Sequence, residues 1–166
     1  FVSSPTANNG FFKNFGKTRR QGVTVDISTR IHQITLGWDY SLVDATYQSY
    51  ESLNGAANSS NDGGVPGLDG DIQLRPGNRI PEIPRHMLKS YADWRPTSRF
   101  SVSLNLLAQS FAYARGNDNN RDKGDGVHYI GDGISPGYAV LNMSARYRLQ
   151  KHAELFAQVS NLADRH

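Results

Sequence analysis

The sequence predicts an all-β protein whose strands form an antiparallel up-and-down meander. Two observations lead to this prediction: apolar side chains recur at every second position in six segments, and the links between the segments alternate between short and long. A period of two places successive side chains on opposite faces of a strand, whereas a helix would spread the same residues around its circumference. We therefore expect about six strands, each with an apolar face and a polar face.

The clearest alternating segment is "ITLGWDYSL". Its apolar residues are Ile34, Leu36, Trp38, Tyr40 and Leu42, and between them stand Thr35, Gly37, Asp39 and Ser41. The other five segments lie at about 23–31, 88–95, 100–109, 141–149 and 154–160. Leu107 and Phe156 are out of step with their segments, and we expect the remaining apolar residues to share one face of the sheet.

The links between the segments predict which end of the sheet each connection occupies. Three links are short, whereas the stretches 51–83 and 115–137 are long and rich in Gly, Asn and Asp. Alternate connections of a meander emerge at the same end, so the short turns should share one end and the long loops the other. Short periplasmic turns and long extracellular loops are typical of outer-membrane barrels. We therefore expect 51–83 and 115–137 to be extracellular loops.

Two other classes of protein fit parts of the same pattern. A soluble β-sandwich, such as a carbohydrate-binding module, also alternates, because the outer faces of its strands meet water. A β-rich glycoside hydrolase would need two carboxylates across its substrate, and the sequence nominates no such pair. Aromatic residues near the segment ends favour the barrel, since they occupy the membrane interfaces there. They are Tyr47, Tyr50, Trp94, Phe100, Tyr138 and Tyr147.

The composition excludes several functions. Of the 166 residues 37% are hydrophobic, and no apolar run approaches the roughly 20 residues of a membrane-spanning helix. The absence of cysteine excludes disulfides and thiolate metal sites. The net charge of +3 is scattered along the chain, so we expect no nucleic-acid partner. The chain begins without Met or a leader pattern, and we expect it to derive from a longer polypeptide.

Four phrases of the sequence resemble, in order and spacing, the C-terminal part of TonB-dependent outer-membrane receptors. They are "GKTRRQGVTVDIS" at 16–28, "YSLVDATY" at 40–47, "NRIPEIPRHMLKSYADWRPT" at 78–97 and "GYAVLNMSARYRLQKHAELFAQVSNLADR" at 137–165. Together the phrases span roughly residues 14–166 apart from the two long loops.

The resemblance implies about six strands of a 22-stranded transmembrane β-barrel in the bacterial outer membrane. It implies import of a scarce ligand, most often a ferric siderophore, without covalent chemistry or a cofactor. The energy would come from the TonB complex, which engages a TonB box near a plug domain. The plug domain, the TonB box and the last barrel strand of the family do not occur in this sequence.

The second long loop contains the candidate ligand-binding residues. Arg115 and Arg121 would suit an anionic siderophore complex, because guanidinium binds oxygen ligands in a bidentate manner. His128 beside Tyr129 is a further candidate for an extracellular ligand contact. Each of these side chains has the simpler interpretation of being solvated in a loop. We predict no catalytic residue.

The stretch "DNNRDKGDGVHY" at 118–129 partly matches a calcium-binding EF-hand loop. Asp118, Asn120 and Asp122 stand at the first three ligand positions. Lys123 replaces the required glycine and Tyr129 replaces the bidentate glutamate. The sequence therefore favours a polar flexible loop over a metal site.

Overall fold

The protein is a β-structure throughout the residues that the computed structural model describes, which are 2–4, 7–11, 16–55, 70–121 and 131–164. The strands are β1 (Val2–Ser4), β2 (Ala7–Phe11), β3 (Thr18–Ile31), β4 (Ile34–Tyr47), β5 (Glu51–Asn54), β6 (Asp71–Leu74), β7 (His86–Trp94), β8 (Phe100–Gln109), β9 (Ala112–Tyr113), β10 (Ile134–Ser135), β11 (Tyr138–Gln150) and β12 (Ala153–Val159). Within these residues no helix is long and apolar enough to cross a membrane.

Six of the strands form one sheet in the order β12-β11-β8-β7-β4-β3. Each strand therefore lies beside the long strand that precedes or follows it in the chain, and the pairs from β4 to β12 are antiparallel. This arrangement confirms the predicted meander of six strands. The remaining strands form three separate two-stranded pairs, β1 with β2, β5 with β6 and β9 with β10.

The chain divides into two compact units. The sheet unit comprises Gly22–Leu42, Pro84–Ser110 and Gly137–His166, and it contains the paired parts of β4, β7, β8, β11 and β12. The loop unit comprises Phe1–Gln21, Val43–Ile83 and Phe111–Pro136. Both predicted long loops lie almost entirely in the loop unit. The strands β3 and β4 contribute residues to both units.

The short turns lie at one end of the sheet, as the meander requires. The turn between β3 and β4 is only His32 and Gln33, and His32 adopts the left-handed region with φ of 54°. In this turn, the Gln33 carbonyl accepts a hydrogen bond of 2.8 Å from the backbone N–H of Arg95. The backbone N–H of Arg148 donates in the same way to the Arg99 carbonyl, also at 2.8 Å. These bonds join the three predicted short turns to one another.

The register aligns the apolar residues of neighbouring strands on one surface of the sheet unit, the apolar face. One row across five strands consists of Ile34, Trp94, Val102, Ala145 and Ala157. Ile34, Trp38 and Leu104 keep 40%, 42% and 37% of their surface exposed. In a β-sandwich these side chains would be covered by a second layer. Within the described residues they are not, so the packing does not favour the sandwich interpretation.

The opposite surface of the sheet unit is the polar face. Its corresponding row consists of Thr35, Asp93, Ser103, Ser144 and Gln158. The Ser103 hydroxyl donates to the Asp93 carboxylate at 2.5 Å. Phe156, one of the two exceptions to the alternation, shares this face with Arg146, whose guanidinium lies 5.3 Å from the ring centroid. A cation–π contact therefore accommodates an aromatic side chain on the polar face.

The aromatic residues near the strand ends do not all occupy the same environment. Trp94, Phe100 and Tyr147 form a row beside the short turns, with successive ring centroids 6.5 Å apart. At the other end of the apolar face, the Tyr40 hydroxyl lies 2.8 Å from Nδ1 of His86. Tyr47, in contrast, is buried inside the loop unit. Only part of the predicted aromatic set therefore lies at the two ends of the apolar face.

We predict that Gly37→Ala destabilises the sheet unit. A Cβ on Gly37 would overlap the ring of Tyr91, which lies across this glycine on the polar face. Because the Tyr91 ring is partly exposed, it can swing away, and we expect a loss of about 1–2 kcal/mol in the free energy of unfolding. A urea titration in detergent micelles measures this loss. Gly131→Ala is the control, since a Cβ there meets no atom within 4 Å.

The same titration on the double variant Gly37→Ala/Tyr91→Ala tests the cause of the loss. With the ring removed, adding the methyl group at position 37 should cost almost nothing relative to Tyr91→Ala alone. An undiminished loss in the Tyr91→Ala background would show that the clash with the ring is not the reason.

Candidate ligand-binding site

The first predicted loop has a hydrophobic core of its own. The strands β5 and β6 pair within it, from Glu51 opposite Leu74 to Asn54 opposite Asp71. This alternation sends Ile72 and Leu74 inward, where they pack with Tyr47 at 3%, 1% and 7% exposure. Leu53 and Ile80 pack against this cluster. The loop is therefore anchored by a small β-hairpin whose apolar side covers the end of β4.

A buried hydrogen bond joins this core to the second predicted loop. The Tyr47 hydroxyl donates to Oδ1 of Asp118 at 2.7 Å. Tyr47 lies seven residues beyond Tyr40 along the chain, and it belongs to the loop unit and not to the apolar face of the sheet unit. Burial, followed by the hydrogen bond and the negative charge of Asp118, raises the pKa of the Tyr47 phenol well above its usual range. The phenol is therefore a neutral donor at physiological pH.

Three asparagines of the second loop hold the two loops together. Asn117 and Asn119 are 1% and 2% exposed, which is unusual for polar side chains in a loop. Asn120 accepts a hydrogen bond of 2.6 Å from the backbone N–H of Arg79, and its amide group donates to the Arg79 carbonyl at 3.0 Å. The Asn78 amide donates to the Asn119 carbonyl at 3.2 Å. We call this set of contacts the asparagine clamp.

The clamp also shapes the second loop internally. The Asn117 amide donates to the Gly133 carbonyl at 2.8 Å, and the Asn120 amide donates to the Asn117 carbonyl at 3.1 Å. Asn120 has a φ of 61°, a conformation that asparagine tolerates better than most residues. Residues 118–121 of the predicted polar loop are therefore held by hydrogen bonds, several of which join their side chains to backbone groups.

Beside the clamp, the side chain of Arg79 lies against two aromatic rings. Its guanidinium carbon is 5.3 Å from the ring centroid of Phe111 and 5.6 Å from that of Tyr113. The two rings meet edge to face with centroids 5.8 Å apart. The Tyr113 carbonyl accepts a hydrogen bond of 2.8 Å from the backbone N–H of Glu82. These contacts fix the strand β9 against the segment that follows β6.

The structure describes two of the four predicted ligand-binding residues. Arg115 lies in a turn closed by a 3.1 Å bond from the Asn117 N–H to the Ala114 carbonyl, and its side chain is exposed. Arg121 is exposed as well, and its backbone N–H donates to the Asn119 side chain at 3.0 Å. Both arginines are thus positioned by the asparagine clamp. His128 and Tyr129 lie outside the described residues.

Sequence reasoning gave other roles to two of the residues that organise this site, Tyr47 as an interface aromatic and Asn120 as an EF-hand position. It did not single out Arg79, Phe111 or Tyr113. The run of asparagines was a usable signal, since asparagine satisfies turns and left-handed conformations. Arg79 gave no local signal, because its aromatic partners are more than 30 residues away in the chain.

The described residues contain no group of three His, Cys, Asp or Glu side chains arranged to hold a metal ion. Two of the EF-hand ligand positions lie within the clamp. Asp118 accepts the Tyr47 hydroxyl and Asn120 accepts the Arg79 N–H, while Asp122 lies outside the described residues.

A single-layer antiparallel meander with an exposed apolar face and a polar opposite face has the pattern of a β-barrel wall. A family model described as "TonB dependent receptor-like, beta-barrel" matches residues 1–162. The chain therefore belongs to the TonB-dependent receptor β-barrel family, as its resemblance indicated, and this is a family of receptors and transporters rather than enzymes. No curated protein matches the chain.

The solved structure of a siderophore receptor has a similar fold. The siderophore receptor PiuA from Acinetobacter baumannii is 16% identical, with a TM-score of 0.66 over 92% of this chain. The chain spans 18% of the length of that receptor. The ferric enterobactin receptor PfeA from Pseudomonas aeruginosa, solved as a Q482A mutant in complex with enterobactin, is 16% identical. Its TM-score is 0.38, over 89% of this chain and 26% of that receptor.

We predict that Asn120→Ala releases the two loops from each other. The change removes three hydrogen bonds and leaves backbone groups of Arg79 and Asn117 without these partners, at a cost of about 1–3 kcal/mol. Limited trypsin digestion followed by mass spectrometry should then show cleavage after Arg79 and Arg121 roughly fivefold to 150-fold faster, since 1.4 kcal/mol corresponds to a factor of ten.

Two control variants separate the causes of this effect. Asn120→Gly tolerates the left-handed backbone but lacks the amide, so it should be cleaved as fast as the alanine variant if the hydrogen bonds matter. Gln73→Ala, which removes an exposed side-chain bond to Ser52, should leave the cleavage rate unchanged. Protection of the glycine variant at the wild-type level would mean that backbone strain, not the clamp, explains the alanine result.

We predict that Tyr47→Phe lowers the free energy of unfolding at pH 8 by about 1–3 kcal/mol, because it removes a hydrogen bond to a charged group. Because folding raises the pKa of the Tyr47 phenol, the extra stability of the wild type over Tyr47→Phe is fully present below the ordinary phenol pKa of about 10. This extra stability declines as the pH rises further. Denaturant titrations of both proteins from pH 8 to pH 11 measure the difference. A difference that stays constant over this range would contradict the assignment.

Proposed function

We propose that this chain is part of an outer-membrane active transporter that binds a ferric siderophore and imports it with energy from the TonB complex. The observation that carries the proposal is the family match over residues 1–162, on a sheet whose apolar face is exposed. The similar fold of PiuA, a siderophore receptor, supports the choice of ligand. The TonB complex would act through a plug domain and TonB box of the whole protein.

The dimensions of the apolar face support a membrane location. From His86 to Trp94 the strand β7 advances eight residues, or ~26 Å at about 3.3 Å per residue. A tilt of roughly 40° reduces this to ~20 Å along the membrane normal, close to the ~25 Å apolar band of outer-membrane barrels. The Tyr40–His86 pair and the Trp94–Phe100–Tyr147 row would then lie at the two interfaces. Outer-membrane lipid is the partner that this surface requires.

We also propose that the stretches 51–83 and 115–137 act as extracellular loops, as the family resemblance implies. Arg115 and Arg121 project from the clamped second loop as exposed cations, which suits an anionic iron complex. His128 and Tyr129 belong to the same loop and are proposed as further contacts. The polar face would line the lumen, and the ligand would pass along it without covalent chemistry.

Uptake of radioactive iron tests the proposed function. Deleting the gene should abolish uptake of a ferric siderophore in iron-limited cells, and a strain that lacks TonB should behave in the same way. Normal uptake in the deletion strain, across hydroxamate and catecholate siderophores, would refute siderophore import. A product that is soluble and monomeric without detergent, as a carbohydrate-binding β-sandwich would be, would refute the membrane location.

We predict that Arg115→Ala/Arg121→Ala weakens ligand binding at least about tenfold, because two charge-assisted hydrogen bonds are lost at roughly 1–2 kcal/mol each. The apparent affinity from uptake at a series of ligand concentrations measures the effect. Arg99→Ala/Arg148→Ala removes two exposed arginines beside the short turns and is the matched control. Equal effects of the two double variants would show that total charge, rather than the second loop, governs binding.

A further inference from the structure

Arg79 is the most firmly held arginine of the loop unit. Both hydrogen-bonding groups of its backbone are engaged by Asn120, at 2.6 Å and 3.0 Å. Arg79 also forms an isolated β-bridge with Thr46, and the next residue, Ile80, donates to the Ala45 carbonyl at 3.0 Å. The position of its Cα is therefore set from two sides, before its side chain makes any contact.

The side chain of Arg79 lies against two aromatic rings. The Phe111 and Tyr113 rings lie 5.3 Å and 5.6 Å from the guanidinium carbon, within the range of cation–π contacts. Among the described residues, no carboxylate forms an ion pair with Arg79, and no side chain or carbonyl accepts from its guanidinium N–H groups. The N–H donors of the Arg79 guanidinium are therefore left for water or for a ligand.

We propose that Arg79 is a ligand-binding residue that receives a carboxylate of the imported molecule. A guanidinium presents its N–H donors in a rigid fork that matches the two oxygens of a carboxylate. Contacts with the two rings restrict the guanidinium before the ligand arrives, which lowers the entropy lost on binding. Half-burial of Arg79 strengthens the pair relative to a fully solvated arginine such as Arg115.

The partly exposed Phe111 ring, at 40%, provides apolar surface beside the fork. The ligand class that fits is therefore a molecule with a carboxylate next to an apolar or aromatic portion. This inference rests on the proposed function only in taking the loop unit as the surface that meets the ligand. The competing interpretation is that Arg79 merely fastens β9 to the segment after β6, with its N–H groups hydrated.

Chemical modification by phenylglyoxal, an arginine-specific reagent, tests the proposal at single-residue resolution. The full-length gene product in detergent micelles is treated with the reagent in the presence of benzoate, of the neutral isostere benzamide, or of chloride. Modification of each arginine is then followed by mass spectrometry. Benzoate should slow the modification of Arg79 at least fivefold, whereas benzamide and chloride should not. Exposed Arg75, four residues earlier in the chain, is the internal control and should react equally under all conditions.

Every outcome of this experiment bears on the proposal. Equal protection of Arg79 and Arg75, or equal effects of benzoate and benzamide, would overturn it. An Arg79 that does not react even without benzoate is inaccessible to a small ligand, which would overturn it too. Phe111→Leu should reduce the protection by benzoate about threefold, because one of the two rings that orient the guanidinium is lost.

Uptake measurements separate this proposal from the proposed function. Arg79→Lys keeps the positive charge but lacks the fork, and we expect about a tenfold weaker apparent affinity for a carboxylate-bearing ferric siderophore. Wild-type affinity in Arg79→Lys would refute the role of Arg79 while import itself still stands. If the gene product does not import siderophores, the deletion strain will show normal uptake, whatever the result for Arg79.

Discussion

The apolar face of the six-stranded sheet has to be removed from water, and nothing in the described part of the chain covers it. Leu155 and Trp94, at 59% and 46% exposure, are typical of this surface. Burial is worth about 25 cal/mol for each Å² of apolar surface, so leaving a whole sheet face in water would be very costly. A hydrocarbon environment meets this need without a second protein layer, and it also demands that every backbone group be bonded within the sheet. The long antiparallel ladders satisfy that demand between neighbouring strands, whereas the outer edges of β3 and β12 have no partner strand among the described residues.

This constraint also fixes the register and therefore the polar face. A slip of one residue between neighbouring strands would send Asp93 and Ser103 to the apolar side, so the pairing is strongly specified wherever one face is dry. An apolar residue on the polar face then needs a local partner. Arg146 provides one for Phe156 while it also lies 3.6 Å from Glu154. The departures from alternation are accommodated by side chains and leave the ladder intact.

The period of two is a local property, and for that reason the strands, their order and the end occupied by the short turns were predictable from the sequence. The loops were not, because their structure depends on contacts between distant segments. Asn117 and Asn119 have the composition of a solvated loop, yet they are buried because Gly133 and the segment around Asn78 lie beside them. No local sequence pattern predicts which asparagine will form a hydrogen bond with a backbone group 16 or 41 residues away.

The same distinction explains why the arginines that stand out in the sequence differ from the one that stands out in the structure. Arg115 and Arg121 are conspicuous in the sequence because they interrupt a polar loop, but both are exposed, and an anion that binds them has to displace their water of hydration. Arg79 lies in the phrase "NRIP", which has no local feature of a binding site. Its environment is formed by Asn120, Phe111 and Tyr113. An arginine whose backbone is hydrogen-bonded and whose guanidinium packs against two rings has already lost part of the freedom that an exposed arginine loses on binding. Preorganisation, which is a property of the folded loops, therefore ranks Arg79 above the arginines that sequence reasoning selects.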